Sequence, residues 1–468
     1  MVVGDFPIDL DTVVIGSGPG GYVAAVHAAE LGQKVTVIEE NKDLGGVCLR
    51  VGCIPSKALI QVGHDYQTAL QSAEEGINSN DTQLDWDKVQ HFRAGVVQHM
   101  TKGVAYLFKK NKVDVIHGTA FLKDAHSLRV MNGDHAQTYT FKHLILATGS
   151  HPIEIGGFKF GGRILDSTGL LELKEKPKEL VLIGGGYIGC ELAGAYANFG
   201  THVTILEGTD AILRNYEKDI VKIAQKKMKQ HGIDVVTSAM AKSADDHGDG
   251  VTVTYTVDGA DKQIEADAVC VAVGRRPNTK NIGLEQAGIE TDDHGLIKVN
   301  AQGETNVAGI YAIGDIVPGA ALAHKASYEG KVAAEAIAGQ SSTVDYRAMP
   351  AVCYLDPEIA TTGLTAQEAK DQGLDVKSAK FPFSANGRAV AMRATDGFVR
   401  LVFTTDTQQV VGAQIIGADA SDMISELSLA IESGNTVEDI ALTIHPHPSL
   451  SEAIMDAADV GIGYPTNI

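Results

Sequence analysis

The chain is short of positive charge. Its 468 residues carry 39 Lys and Arg against 59 Asp and Glu, a formal net charge of −20. That balance argues against nucleic acid and against an anionic membrane as partners, since both are themselves negative. It suits a basic protein partner, and it suits plain solubility equally well. No apolar run is long enough to span a bilayer. The N-terminus, with Asp5, Asp9 and Asp11, lacks the basic and apolar regions of a secretory signal, so none is expected. Cysteine is scarce too. Of five, Cys190, Cys270 and Cys353 stand far apart in apolar settings. They read as buried free thiols, and the expected compartment is a reducing one, the cytoplasm.

What is present is ordinary globular composition, 44% hydrophobic and 21% charged, in a chain too long for one core. About three domains are expected.

Residues 10–39 read as strand, glycine turn, helix, strand. Leu10 to Ile15 is apolar, Gly16-Ser17-Gly18-Pro19-Gly20-Gly21 is GxGxxG, Tyr22 to Leu31 is an Ala-rich helix, and Lys34 to Ile38 runs into Glu39. A lone GxGxxG says little. Here it follows a strand, opens a helix and has an acid at the end of the next strand, which is the full dinucleotide-binding context. The glycines let a pyrophosphate approach the unpaired N–H groups of the helix N-terminus. Glu39 then has the place of a ribose acceptor. The unit recurs: Leu180 to Ile183, then Gly184-Gly185-Gly186-Tyr187-Ile188-Gly189, then Thr201 to Leu206 running into Glu207. The offset is constant, 184 − 16 = 168 and 207 − 39 = 168. Two dinucleotide sites on one chain imply electron transfer between cofactors, most economically a flavin and a nicotinamide. A carboxylate at Glu207 pairs with a ribose 2′-OH and repels a 2′-phosphate, so NAD is expected rather than NADP. Arg214 is the one arginine in the following loop, a poor phosphate clamp.

Just after the first unit comes Leu44-Gly45-Gly46-Val47-Cys48-Leu49-Arg50-Val51-Gly52-Cys53-Ile54-Pro55-Ser56-Lys57. Two thiols spaced CxxxxC are a metal half-site, a redox pair or chance. No second half-site follows, so no metal is expected. An intact helix separates positions i and i+5 by more than the roughly 7 Å that a disulfide tolerates. A bridge needs an irregular first turn, which Gly52 permits. A helix N-terminus would also favour a thiolate.

The rest is read more coarsely. Residues 58–80 are helix and loop, 85–111 a long amphipathic helix, 113–145 a small sheet region. Phe141 to Ala147 and Ala268 to Val273 are strands at the hand-over between nucleotide units, and Arg275 and Arg276 beyond the second are assigned a solvated or linker role. Thr305 to Ile313 reads as a strand that delivers Asp315 at its C-terminal end, where ligands gather in open α/β sheets. A helix follows from about Ala321 to Ala338. From Pro350 strand-like runs (Val376 to Phe381, Gly397 to Phe403, Val410 to Ile416) alternate with helical ones (Thr365 to Gln372, Ser421 to Ser433), an α+β domain of its own. Near its end stands His445-Pro446-His447-Pro448-Ser449-Leu450-Ser451-Glu452. It reads as a metal pair lacking a third ligand, or as a His–Glu acid/base couple.

From about residue 8 to its end the chain resembles the FAD-dependent pyridine-nucleotide disulfide oxidoreductases, through GGVCLRVGCIPSK, GGGYIGCELA, GRRPNT, YAIGD, LAHKASYEG and HPHPSLSE. Within that family it is similar to the branch that oxidises dihydrolipoamide for the 2-oxo acid dehydrogenase complexes. The resemblance implies an α/β fold of two Rossmann-like dinucleotide-binding domains, for FAD (1–150 with 278–348) and NAD (151–277), and an α+β dimerisation domain (349–468). It implies that Cys48 exchanges with the lipoyl sulfurs and that Cys53 lies against the flavin. Lys57, paired with Glu191, would sit near the flavin. Gly16, Gly18, Gly21, Glu39, Gly46, Ala120, Asp315 and Ala323 would line the FAD site, and Gly184, Gly186, Gly189, Glu207 and Gly274 the NAD site. His447, oriented by Glu452, would be the acid/base and would come from the other subunit of an obligate homodimer. The implied partners are the lipoyl domain and the peripheral subunit-binding domain of an E2 acyltransferase.

Two positions depart from the family pattern. Arg50 stands in place of Asn, and its side chain is expected to point to solvent. Ser449 stands in place of Thr and is expected to be neutral. Glutathione-type reductases share the thiol and His–Glu devices but read NADPH through arginines, against which Glu207 speaks. Mercuric reductases end in a cysteine pair, whereas this chain ends Tyr464-Pro465-Thr466-Asn467-Ile468. A flavoprotein whose main work is docking on a multienzyme core is a further alternative, against which the dithiol and His447 weigh.

Overall fold

The computed structural model describes residues 6–79 and 81–468. Asp5, part of the acidic start, lies outside them. The two glycine-turn units fold as near copies. The first builds a five-stranded parallel sheet in the order Ile310–Ala312, His143–Leu146, Thr12–Ile15, Val35–Glu39, Asp114–His117. The second builds another in the order Ile164–Leu165, Ala268–Val271, Glu179–Ile183, His202–Leu206, Ile233–Val236. Helices Pro19–Glu30 and Tyr187–Asn198 are 12 residues each, and the offset holds at both ends: 187 − 19 = 168 and 198 − 30 = 168. The strands are apolar without alternation because both faces are covered. Val13 packs to one side with Leu128 and Leu144, Val14 to the other with Ala24 and Ala28.

The expected helix Tyr22 to Leu31 starts earlier, at Pro19, whose preset φ and missing N–H suit a first turn. The 113–145 region divides. Asp114–His117 and His143–Leu146 join the parallel sheet, while Thr119–Asp124, Ser127–Asn132 and His135–Thr140 form an antiparallel sheet edged by Ile8–Asp9. The strand expected from Thr305 shrinks to Ile310–Ala312, because the segment before it closes on itself: Thr305 N–H donates to Ile310 O at 2.8 Å.

Residues from Ala351 on form a five-stranded antiparallel sheet in the order Ala351–Cys353, Glu358–Gly363, Val410–Gly417, Phe398–Thr404, Val376–Pro382. Helices Ala420–Glu432 and Glu452–Ile462 cover it, burying Leu427, Ile431, Ile454 and Ala457 against Phe381, Leu401 and Phe403. One apolar cluster runs through all three regions, joining Leu59, Cys190, Tyr196, Cys353, Leu355 and Phe398. It sits directly beneath the thiols' helix. No helix among the described residues is long and apolar enough to cross a membrane.

Candidate active site

The two phosphate loops have the same geometry. Gly16 and Gly184 open them at φ of 98° and 105°, where an L side chain is strained. A Cβ on Gly21 or Gly189 would stand 1.9 or 2.1 Å from the carbonyl of the first glycine. Each loop is pinned to the acid at the end of the neighbouring strand. Ser17 N–H and Oγ–H donate to Glu39 Oε2 at 2.9 and 2.6 Å, and Gly185 N–H donates to Glu207 Oε2 at 2.6 Å. The other oxygens accept from Asn41 N and Nδ2 (2.9 and 2.8 Å) and from Thr209 N and Oγ1 (2.8 and 2.7 Å). Burial pushes the Glu39 carboxyl up, but the bonds from Ser17 and Asn41 outweigh it and hold the group below its usual range.

The dithiol stretch is two helices broken at one residue. Gly46–Val51 and Cys53–Gln71 meet at Gly52, whose φ and ψ are −139° and −108°. The break supplies the irregular turn between Cys48 and Cys53 that their spacing calls for. Both are free thiols, Cys53 exposed and Cys48 half-buried. The interaction between the two thiols lowers the Cys53 thiol and raises that of Cys48, which burial raises further. Lys57, one turn along, also favours the Cys53 thiolate.

Lys57 is held by two other regions of the chain. Its Nζ donates to Glu191 Oε2 at 2.7 Å. Glu191 comes from the Tyr187–Asn198 helix, is 4% exposed, and takes Tyr354 N–H on Oε1 at 2.9 Å. The Tyr354 ring closes over the ammonium at 4.4 Å to its centroid. Burial opposes the Lys57 charge, yet Glu191 more than offsets this and leaves the group above its ordinary value.

His447 stands apart from the thiols. Its Nδ1 donates to Glu452 Oε1 at 2.8 Å, its side chain is 79% exposed, and among the described residues no ion pair ties it to the dithiol region. Glu452 Oε2 accepts Ser449 N–H at 2.8 Å, and Ser449 Oγ accepts Glu452 N–H at 3.3 Å. That reciprocal pair of hydrogen bonds fixes the orienting acid at the first residue of helix Glu452–Ile462, whose N-cap is Ser451. His445 is engaged elsewhere: Nε2 meets Glu426 Oε1 and Nδ1 meets Thr443 O, both at 2.9 Å, and the Glu426 bond raises its pKa. Each imidazole of the pair thus has its own carboxylate.

A dithiol polarised by a clamped ammonium, beside two phosphate cradles, frames the comparison with known proteins. Residues 10–330 match the family described as pyridine nucleotide-disulphide oxidoreductase. The chain belongs to that family. Residues 349–458 match its dimerisation domain. The chain is 60% identical to a dihydrolipoyl dehydrogenase of Geobacillus stearothermophilus, over 100% of this chain and 99% of that one. It is 58% identical to a dihydrolipoyl dehydrogenase of Bacillus subtilis (strain 168), over 100% of both. Among solved structures, LpdA from Mycobacterium tuberculosis superposes with a TM-score of 0.90 at 26% identity, over 96% of this chain and 99% of that one.

The residues present fit the disulphide oxidoreductase cofactors. A Cβ on Gly46 (φ 61°) would lie 2.5 Å from Gly18 Cα, so the dithiol helix packs on the first phosphate loop with no room for a side chain. Asp315 lies in the turn Gly314–Ile316 after strand Ile310–Ala312, at the same carboxyl end of the parallel sheet as Glu39. Gly274 follows strand Ala268–Val271 at φ 135°, and Gly184 packs against the Ala272 carbonyl that leads into it. Ala323 starts helix Ala323–Ile337, and Ala120 is buried in strand Thr119–Asp124. Gly186 caps the Tyr187–Asn198 helix as Gly18 caps its counterpart.

Three residues of the oxidoreductase site were not legible in the sequence pattern. Tyr354 lies far along the chain, with no motif to mark it. Ser17 and Asn41 act through backbone and side chain on Glu39. Arg275, assigned a solvated or linker role, does link: strands Ser150–Pro152 and Arg275–Pro277 pair. It is not merely solvated, since Nε and a terminal nitrogen donate to Ser150 Oγ and O at 2.8 and 2.5 Å, and Ser150 Oγ–H donates to Asp315 at 2.5 Å. Arg50 is half-buried and does not run free into solvent; it donates to Asn41 Oδ1 at 3.0 Å.

Proposed function

We propose that the chain oxidises the dihydrolipoamide of an E2 acyltransferase to lipoamide and reduces NAD⁺, as a homodimer in which each site joins the dithiol of one subunit to His447 of the other. The observation that carries the reading is the orientation of His447: Nδ1 is bound to Glu452 while the ring faces out of its own chain. The negative net charge of −20 suits a basic docking module on the E2 subunit. Three buried free thiols suit a reducing cytoplasm.

The Cys48–Cys53 disulfide begins the cycle. A substrate thiol near its usual pKa of about 8.5 is mostly protonated at neutral pH. His447, with Nδ1 held by Glu452, takes that proton at Nε2. The substrate thiolate attacks Cys48 Sγ, the S–S bond breaks, and Cys53 leaves as a thiolate beside Lys57. The second substrate thiol gives up its proton to solvent and attacks its own mixed disulfide. Lipoamide departs oxidised by two electrons, and Cys48 leaves as a thiolate that takes a proton from His447. FAD, when held by the first cradle with Glu39 and Asp315, supplies the two-electron relay from this dithiol to a nicotinamide held by the second cradle with Glu207. Lys57 and Glu191 keep a fixed, desolvated charge pair at that thiolate throughout.

His447→Gln is expected to lower dihydrolipoamide oxidation by at least about a hundredfold, the usual reach of a general base, while the protein stays yellow. Near-normal turnover would remove the assignment. Anaerobic titration with dihydrolipoamide followed by NAD⁺ is expected to yield NADH; a better yield of NADPH from NADP⁺ would overturn the reading of Glu207.

A further inference from the structure

Arg50 lies on the dithiol helix between the two cysteines, yet its side chain turns toward the first nucleotide cradle. Its Nη2 donates to Asn41 Oδ1 at 3.0 Å. Asn41 donates twice to Glu39 Oε1, and Ser17 donates twice to Glu39 Oε2. Ser17 O and Oγ in turn accept Gly45 N–H, each at 3.1 Å. Gly45 is the N-cap of the Gly46–Val51 helix, whose last turn carries Arg50. The bonds therefore close a circuit. From the start of the dithiol helix it passes through Ser17, Glu39 and Asn41, and it returns to the end of the same helix at Arg50.

The chemistry of the circuit is directional. Glu39 is 4% exposed, so the aim of its carboxylate is set by its donors rather than by water. A guanidinium on the Asn41 carbonyl polarises that amide and strengthens the Nδ2–H bond it makes to the carboxylate. The cation that acts on the thiols is Lys57, which leaves Arg50 to the acid.

We propose that Arg50 is a positioning residue for the ribose of FAD: through Asn41 it holds the Glu39 carboxylate in its receiving orientation and ties that acid to the dithiol helix. The proposal rests on the reading that Glu39 takes the FAD ribose. Arg50 thus adds a charge-assisted link where an asparagine, shorter by three heavy atoms of reach, leaves Asn41 anchored on one side only.

The test is the rate of FAD release from the holoenzyme, followed by the fluorescence of the freed flavin. Arg50→Asn is expected to release FAD about fivefold faster, the scale of one typical intramolecular hydrogen bond. Arg50→Lys is expected to restore part of the loss. In an Asn41→Ala background the Arg50→Asn effect is expected to vanish, which a general loosening of the fold would not produce. The pH profile of thiol alkylation is expected to stay where it is in Arg50→Asn. Unchanged release in Arg50→Asn, with Glu39→Gln releasing FAD faster, overturns the role of Arg50. Unchanged release in Glu39→Gln overturns the ribose reading itself. An Arg50→Asn effect of equal size with and without Asn41 overturns the route through that amide.

Discussion

Cys53 interacts with the Cys48 thiol and with the Lys57 ammonium, so the two thiols of one pair differ in acidity, with Cys53 lowered and Cys48 raised. The sign follows from charge: a cation favours the ionised form and lowers the pKa, and removing it raises the pKa. Lys57→Met is expected to shift the Cys53 alkylation midpoint upward by about one unit, with slower alkylation at neutral pH. Tyr354→Leu is expected to move it the same way by less, because the ammonium loses the ring that holds it, while Tyr354→Phe leaves it in place. Iodoacetamide rates measured across pH decide all three; a downward shift in Lys57→Met would show that the ammonium does not act on this thiol.

At the scale of elements, two helix starts hold the residues of the proposed chemistry. The dithiol helix begins at Gly46, against Gly18. Gly46→Ala adds a Cβ at 2.5 Å from the Gly18 Cα in a left-handed backbone position, so the helix and the phosphate loop must part. The expected result is a loss of about 2–4 kcal/mol in stability and of bound FAD, read by thermal melting and flavin absorbance. Just ahead of the Glu452–Ile462 helix, Ser449 and Glu452 close a box of two hydrogen bonds. Ser449→Thr keeps the hydroxyl and is expected to be silent. Ser449→Ala is expected to cost about 1 kcal/mol, the scale of one hydrogen bond, and to slow dihydrolipoamide oxidation with FAD retained, because Glu452 then holds His447 less firmly. Equal turnover in both variants would show that the box does not serve the histidine.

Across the whole molecule, the clamp on Lys57 draws on three regions: its own helix, Glu191 from the second nucleotide unit and Tyr354 from the antiparallel domain. Among the described residues no hydrogen bond or ion pair links His447 to the thiols of its own chain, as the proposed shared site requires. Hybrid dimers test that arrangement. Cys48→Ser and His447→Gln homodimers are each expected to be inactive. Unfolded together and reassembled, they are expected to recover about a quarter of wild-type activity, since half the dimers are hybrids and each hybrid has one intact site. No recovery would place Cys48 and His447 of the same chain in one site.

Residue order alone determined the duplicated nucleotide units, because a tight turn, a close helix and a strand-end acid each demand a residue type at a fixed spacing. The 168-residue offset reappears in both helices to the residue. The CxxxxC break at Gly52 and the His447–Glu452 pair were legible for the same reason: they act over a few positions. Tertiary structure alone decided Tyr354 over Lys57, Arg275 on Ser150 and Arg50 on Asn41. The first two contacts join residues more than a hundred positions apart. The third depends on where a long, flexible side chain turns once both helix and loop are in place. Periodicity and spacing report neither, since each is settled by the packing of separate units against one another.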